Sequence, residues 1–181
     1  MKKIIVAGGG HGGIATALLL TEKGYDVTVY EKNSRENMGY DWTDIFAPES
    51  LKDIGLDLPD ESLFEYKTDM TFYSTDERKA IYQDVPLNER EIKMERRDIY
   101  NMLIKKAEEN GVEFVYSCKI EAPIIDDTRV VGIKTEVGEA YGDLIIDACG
   151  CGSPVRMNLP KNFRVQKSPL KNEKFFVYRA F

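Results

Sequence analysis

Three glycines, Gly8, Gly10 and Gly13, stand between a short apolar run, KIIVA (3–7), and the Ala- and Leu-rich stretch GIATALLLTEKG (13–24). Glycine gives up more backbone entropy on folding than any other residue and packs no side chain, so such a cluster needs a chemical reason. Its spacing supplies one: G-x-G-x-x-G at a strand-to-helix turn is a cradle for a pyrophosphate. Gly8 allows the tight turn out of the strand, Gly10 lets a pyrophosphate approach the backbone, and Gly13 lets the helix lie close on the sheet. The helix N-terminus adds unpaired N–H groups and about half a positive charge. His11 and Gly12 lie in the same loop and count among its ligand-facing positions, whereas the G-x-G-x-x-G pattern assigns no part to Gly9. His11 is the only histidine of the chain, and histidine titrates near neutrality. A loop that faces a pyrophosphate is remote from a reacting centre, so a phosphate contact is expected of His11 rather than catalysis.

The second chemical feature is Glu31, at the end of the run DVTVYE (26–31). A carboxylate there accepts hydrogen bonds from adenosine ribose hydroxyls and disfavours a 2′-phosphate, which argues against NADP at this site. The fingerprint with this acid reads as a dinucleotide site, and by itself it leaves FAD and NAD open. The third feature is a pair of thiols, Cys149 and Cys151, in a second glycine-bearing turn, CGCGSP (149–154). Two cysteines one residue apart, with Cys118 elsewhere, fall short of a four-ligand metal site, and adjacent spacing strains a disulfide. Ordinary free thiols and no bound metal are the expectation. No residue stands out as a catalytic acid, base or nucleophile.

The elements that must position these groups follow from hydrophobic periodicity. Residues 3–7 read as a buried strand, 13–24 as a helix closed by Gly24, and 26–31 as a second strand. They form a β-α-β unit whose right-handed crossover sets the strands parallel. From Lys32 to about Asp69 the pattern weakens, with a short helix at PESLKDIG (48–55). MTFYSTDERKAIYQDV (70–85) reads as a β-hairpin around STDER. RRDIYNMLIKKAEENG (96–111) is an amphipathic helix with Ile99, Met102, Leu103 and Ala107 on its apolar face. Strands follow at 112–125, interrupted near Ser117, then at 129–136 and 143–149, and KFFVYRAF (174–181) reads as a further strand. The fold class is α/β: a Rossmann-like domain with a parallel sheet plus an antiparallel hairpin or meander.

The net charge of −6 over 181 residues argues against a general affinity for nucleic acid or an anionic membrane and leaves room for a local basic pocket for a phosphate. The lysines and apolar residues of MKKIIVA stop too early for a secretory signal, and no run has the length of a transmembrane helix. An odd count of three cysteines without such a signal suits a reducing, cytoplasmic setting.

Three separated segments resemble the FAD-dependent oxidoreductases of the p-hydroxybenzoate hydroxylase and geranylgeranyl reductase group. The first is the fingerprint leading to VYEKNSR. In that group the glutamate holds the adenosine ribose and a following basic residue supports it, which implies cofactor roles for Glu31, Lys32 and Arg35. The second is MERRDIYNMLIKKAEENGVEF, whose Arg96 corresponds to the group's arginine near the ribityl-phosphate region of the flavin. Arg97 is the alternative in a register shifted by one. The third is GDLIIDACGCGSPVR (142–156), similar to the group's DLVVDATGRGSPVR-type turn beside the flavin nucleotide. Asp147, Gly150, Gly152, Ser153 and Arg156 match it, whereas Cys149 and Cys151 replace the usual polar residues. The aromatics of GYDWTDIF (39–46) either stack on an isoalloxazine or cap a sheet edge.

The resemblance implies an FAD-binding domain over 1–160, with 70–85 as an excursion, and the start of a substrate-domain strand region over 161–181. Relatives of the group are considerably longer, so the chain is expected to be the N-terminal, FAD-binding portion of a longer enzyme. That enzyme would use FAD for hydride transfer, as a reductase or a monooxygenase, on an unidentified small-molecule substrate, with NAD(P)H as a transient reductant. A non-catalytic dinucleotide-binding module and an NAD-dependent dehydrogenase are the alternatives. Oligomeric state is not legible in the sequence.

Overall fold

The structure is a computed structural model and describes residues 1–86, 89–167 and 169–174; the strand expected over 174–181 therefore lies outside the described residues apart from Lys174. In chain order the elements are β1 (Lys3–Ala7), α1 (His11–Glu22), β2 (Asp26–Tyr30), β3 (Thr43–Phe46), α2 (Glu49–Lys52), β4 (Phe64–Tyr66), β5 (Asp69–Tyr73) and β6 (Ala80–Asp84). Then come β7 (Ile92–Glu95), α3 (Arg96–Glu109), β8 (Glu113–Val115), β9 (Ile120–Asp126), β10 (Arg129–Thr135), β11 (Gly138–Tyr141), β12 (Leu144–Asp147) and α4 (Pro154–Met157). Two compact units result, one of Met1–Glu36 with Ala107–Phe181 and one of Asn37–Lys106.

The first unit is built on a four-stranded sheet in the order β12-β1-β2-β8. β1 pairs parallel with β2 on one side and with β12 on the other, and β8 joins β2 in parallel. Strands pleat with a period of two, so the fully apolar IIVA of β1 is buried on both faces. Ile5 and Ala7 pack in a core with Ile120, Ile133, Ala140 and Val155, which brings in the three-stranded antiparallel sheet β11-β10-β9. Ile4 and Val6 point to the opposite face, where α1 lies against β1 and β2 and buries Gly13, Ile14, Ala17 and Leu18. Each large aliphatic side chain removed from water in this way contributes about 1.5–3 kcal/mol.

The second unit holds a three-stranded antiparallel sheet in the order β3-β7-β4 and the separate β5-β6 ribbon. Its buried side chains are Met38, Leu51, Ile92, Met94, Ile99, Leu103 and Ile104. The ribbon is the hairpin expected around STDER, paired from Asp69↔Asp84 to Tyr73↔Ala80.

Four differences from the sequence reading have physical causes. The first helix begins at His11, two residues before the reading, because Gly10 already serves as its N-cap. The run 112–125 is two strands in two different sheets, since Ser117 adopts a left-handed φ of 50°. On α3 it is Ile104 rather than Met102 that is fully buried alongside Leu103. Strands β3, β4, β7 and β11 are too short to carry a periodic signal, and pairing with neighbours makes them.

Candidate dinucleotide site

The strand order sets the location. Chain succession runs outward from β1 through β2 to β8 on one side and reaches β12 on the other, so the crevice between the carboxyl ends of β1 and β12 is a topological switch point. Ligands of open parallel sheets bind at such points. Both glycine turns leave the sheet there: the loop 8–13 follows β1, and the turn 148–153 follows β12.

The first loop is shaped by contacts that exclude side chains. Gly8 has φ +105°, and a Cβ on it would stand 2.6 Å from the Ala148 carbonyl oxygen of the second turn. A Cβ on Gly13 would collide with the Gly8 carbonyl oxygen, so the start of α1 lies on its own loop as the fingerprint requires. Gly8 donates its N–H to the Tyr30 carbonyl at 2.8 Å, and Ile14 donates to Gly10 at 2.9 Å as the first α-helical bond. Gly10 caps the helix in an extended conformation, and no side chain caps this terminus among the described residues. Its N–H groups therefore remain oriented for an anion. His11 is the half-buried first residue of the helix. Gly12 is exposed, and a Cβ there would meet nothing within 4 Å, so packing places no demand on it.

Glu31 is only 8% exposed. Its backbone N–H donates to the Val115 carbonyl, and its own carbonyl accepts from Cys118, each at 2.9 Å, which fixes it at the mouth of the β2-β8 pair. Its carboxylate accepts the Gly9 N–H at 2.8 Å on Oε2 and the Asn33 N–H at 2.9 Å on Oε1. Lys32 follows on the surface, and Arg35 is half-buried at the start of a 3₁₀ turn. Nearby Tyr116 stacks on Phe114 with ring centroids 5.3 Å apart. Burial, then the charge of Glu108, push its hydroxyl up to about 12.

The second turn is stapled by Asp147. Its Oδ1 accepts the Cys149 N–H at 3.1 Å and its Oδ2 accepts the Ser153 hydroxyl at 2.5 Å. Ser153 is fully buried and its Oγ accepts the Arg156 N–H at 3.1 Å as the N-cap of α4. Gly150, at φ +74°, supplies the left-handed residue that this closure needs. The Arg156 guanidinium donates to the carbonyls of Cys151 and Lys167. All three cysteines are free thiols. Cys149 donates to the Ala7 carbonyl at 3.1 Å, and burial followed by the Asp147 charge pushes its pKa up to about 12.

Arg96 belongs to the other unit. Its guanidinium grips Asp44 through Nε at 2.8 Å and Nη2 at 2.5 Å, lies 4.4 Å over the Tyr40 ring and 5.8 Å from that of Trp42. The Asp44 hydrogen bonds hold its pKa above the ordinary guanidinium value. Tyr40 and Trp42 thus have a cation as neighbour within their own unit. Arg97 donates to exposed Asp41 at 3.4 Å. Gly39 is required: at φ +72°, a Cβ would lie 2.8 Å from the Arg97 Cα.

The structure therefore gathers Gly8, Gly10, His11, Gly12, Gly13, Glu31, Lys32, Arg35, Asp147 and Gly150 in one unit. Sequence reasoning missed Gly9, Asn33 and the Ala148 carbonyl: Asn33 and Ala148 act through backbone atoms that leave no residue-type signal, and what a side chain at position 9 would meet is Glu31, 22 positions away.

This fold and its paired glycine turns define a Rossmann-like α/β domain. The family description "NAD(P)-binding Rossmann-like domain" matches residues 6–59. The digeranylgeranylglycerophospholipid reductase of Haloferax volcanii is 27% identical over 156 residues, 84% of this chain and 36% of that protein. The 4,4'-diaponeurosporene oxygenase of Staphylococcus haemolyticus is 54% identical over 33 residues, 18% of this chain and 7% of that protein. Among solved structures, PqsL, a probable FAD-dependent monooxygenase from Pseudomonas aeruginosa, superposes with a TM-score of 0.69 at 22% identity, over 86% of this chain and 44% of its own. The myxobacterial halogenase CndH, from a group of FAD-dependent halogenases, gives a TM-score of 0.70 at 22% identity, over 87% of this chain and 39% of its own. The resemblance read from the sequence is borne out, in sequence by the reductase and in fold by the flavin-dependent monooxygenase and halogenase. The chain spans just over a third of that reductase and less than half of either solved relative.

Proposed function

We propose that this chain is the FAD-binding portion of a flavin-dependent oxidoreductase. The observation that carries the reading is the meeting of two glycine turns at the switch point, Gly8 against the Ala148 carbonyl, beside a buried ribose-type carboxylate at the neighbouring strand end. The cradle that a Cβ on Gly8 or Gly13 would fill fits a dinucleotide. The N–H groups of the loop 8–13 and the N-terminus of α1 hold its pyrophosphate, Glu31 holds the adenosine ribose, and Lys32 and Arg35 add positive charge at the adenosine end. The turn at Asp147 and Gly150 borders the nucleotide, and the resemblance gives Arg96 a role toward its ribityl-phosphate part. When bound, FAD supplies hydride transfer to or from a substrate; the protein's share is binding and orientation.

Substrate reduction is the favoured parent reaction, because the relative that matches 84% of this chain is a reductase; hydroxylation with oxygen is the form that the solved monooxygenase supports. NAD(P)H is the transient reductant in either case. The domain runs over 1–160 and the region from 161 begins the substrate part. Free thiols support a cytoplasmic setting. NAD as the resident ligand is the second reading, favoured by the family description that covers the fingerprint.

The test is to load the purified chain with FAD or NAD separately, desalt, denature, and identify the released nucleotide by mass spectrometry. FAD is expected. NAD retained without FAD moves the protein to the nicotinamide class, and retention of neither overturns the cofactor assignment for this chain. Arg96→Ala should weaken FAD and barely affect NAD; unchanged FAD affinity removes Arg96 from the site.

A further inference from the structure

We infer that Gly9, which the G-x-G-x-x-G pattern leaves unassigned, is a positioning residue that sets discrimination at the adenosine 2′ position. The inference rests on the dinucleotide reading above. Gly9 is not among the positive-φ glycines, so its backbone conformation does not call for glycine. The demand comes from one neighbour. A Cβ at position 9 would stand 3.2 Å from the Glu31 Cβ and 3.3 Å from both its Cγ and its Oε2.

The same residue donates its N–H to that Oε2 at 2.8 Å, in a buried hydrogen bond. Glu31 therefore rests on a bare backbone, with one oxygen tied to Gly9 and the other to the Asn33 N–H at 2.9 Å. Hydrogen bonds to a charged acceptor are the stronger kind, and the residue is 8% exposed, so the carboxylate is held before any ligand arrives. Each carboxylate oxygen has a second lone pair, and those are what a ribose diol can use.

Fixing the carboxylate has two consequences. Hydroxyl donors meet an acceptor that needs no reorganisation. A 2′-phosphate meets a negative charge that cannot swing away. A β-carbon at position 9 makes Glu31 give by a few tenths of an ångström, and a branched side chain there displaces the carboxylate further and weakens both effects together. The glutamate identifies the selectivity, and Gly9 makes it rigid.

The experiment measures calorimetric affinities for ADP-ribose and 2′-phospho-ADP-ribose in the wild type, Gly9→Ala, Gly9→Val, Glu31→Gln and the Gly9→Val/Glu31→Gln double variant. The wild type is expected to prefer ADP-ribose. Gly9→Val should lose about 10- to 100-fold in ADP-ribose affinity, the scale of one charged hydrogen bond, with 2′-phospho-ADP-ribose unchanged or tighter. The selectivity ratio then falls to that of Glu31→Gln, and in that background Gly9→Val changes the ratio no further, as expected for two residues acting as one unit. Equal losses on both ligands, an unchanged ratio, or fully additive effects on the ratio overturn the inference. Should Gly9→Val fail to fold, Gly9→Ala decides: a smaller shift of the ratio in the same direction supports the inference, and no shift overturns it. A wild type that binds neither FAD nor ADP-ribose overturns the dinucleotide reading and this inference with it. A wild type that binds both, with variants of unaltered ratio, overturns only the inference.

Discussion

Cys149 and Cys151 sit one residue apart and have different chemistry. Burial and then the adjacent Asp147 carboxylate raise the Cys149 pKa to about 12, so its reactive thiolate accumulates only as the pH approaches that value. Cys118 is buried and Cys151 is exposed. Iodoacetamide at pH 8 should therefore label Cys151 first, with Cys149 and Cys118 protected until the chain unfolds; peptide mass spectrometry of a time course checks the order. Glu31→Ala removes a charge-bearing acceptor from the proposed ribose site and should weaken dinucleotide binding by about 1.5–3 kcal/mol, measurable by titration with FAD. The glutamate and the fingerprint glycines were legible in the sequence because their residue types are the signal. Asn33 was not, because it contributes a backbone N–H that every residue but proline carries, and Gly9 was not, because the neighbour that a side chain there would meet is Glu31, 22 positions away.

At the scale of elements, the turn after β12 depends on one hydroxyl. Ser153 caps α4 and donates to Asp147 from a fully buried position. Ser153→Ala leaves an acceptor oxygen of Asp147 and the Arg156 N–H without that partner and should cost about 1–2 kcal/mol, read as a lower urea midpoint. Arg96 joins the start of α3 to β3 through its bidentate grip on Asp44, with the two side chains 15% and 19% exposed. Arg96→Ala should destabilise this unit by about 1–3 kcal/mol, and Arg96→Lys should restore little, because an ammonium cannot match the planar fork. Trp42, the only tryptophan, lies 5.8 Å from the guanidinium, so its fluorescence during urea unfolding reports on this contact. The pairing itself was beyond sequence reasoning, since Asp44 and Arg96 are 52 positions apart.

At the scale of the molecule, each unit carries apolar surface of its own. The β5-β6 ribbon exposes Phe72 and Ile81 on one face and Tyr73 and Tyr82 on the other, at 52%, 70%, 62% and 75%. In the first unit, Leu144 on the edge strand β12 is 50% exposed. Isolated two-stranded ribbons are marginal in water, and exposed apolar surface on this scale promotes association. Ile81→Lys should therefore change stability by less than about 0.5 kcal/mol while reducing binding of a hydrophobic dye and concentration-dependent self-association in sedimentation.

The sequence by itself determined the β-α-β unit, the pyrophosphate loop, Glu31 at the strand end, the hairpin about STDER and the amphipathic helix. These rest on local periodicity and on residues whose type is their function. Tertiary structure alone decided that the run after Gly111 divides between two sheets at Ser117, and that β3, β4, β7 and β11 are strands at all. It also decided that Arg96 is gripped by Asp44 and that the loop after β1 meets the turn after β12. The reason is common to all of them: each depends on hydrogen bonds or packing between residues far apart in the chain, and a local pattern holds no record of a distant partner.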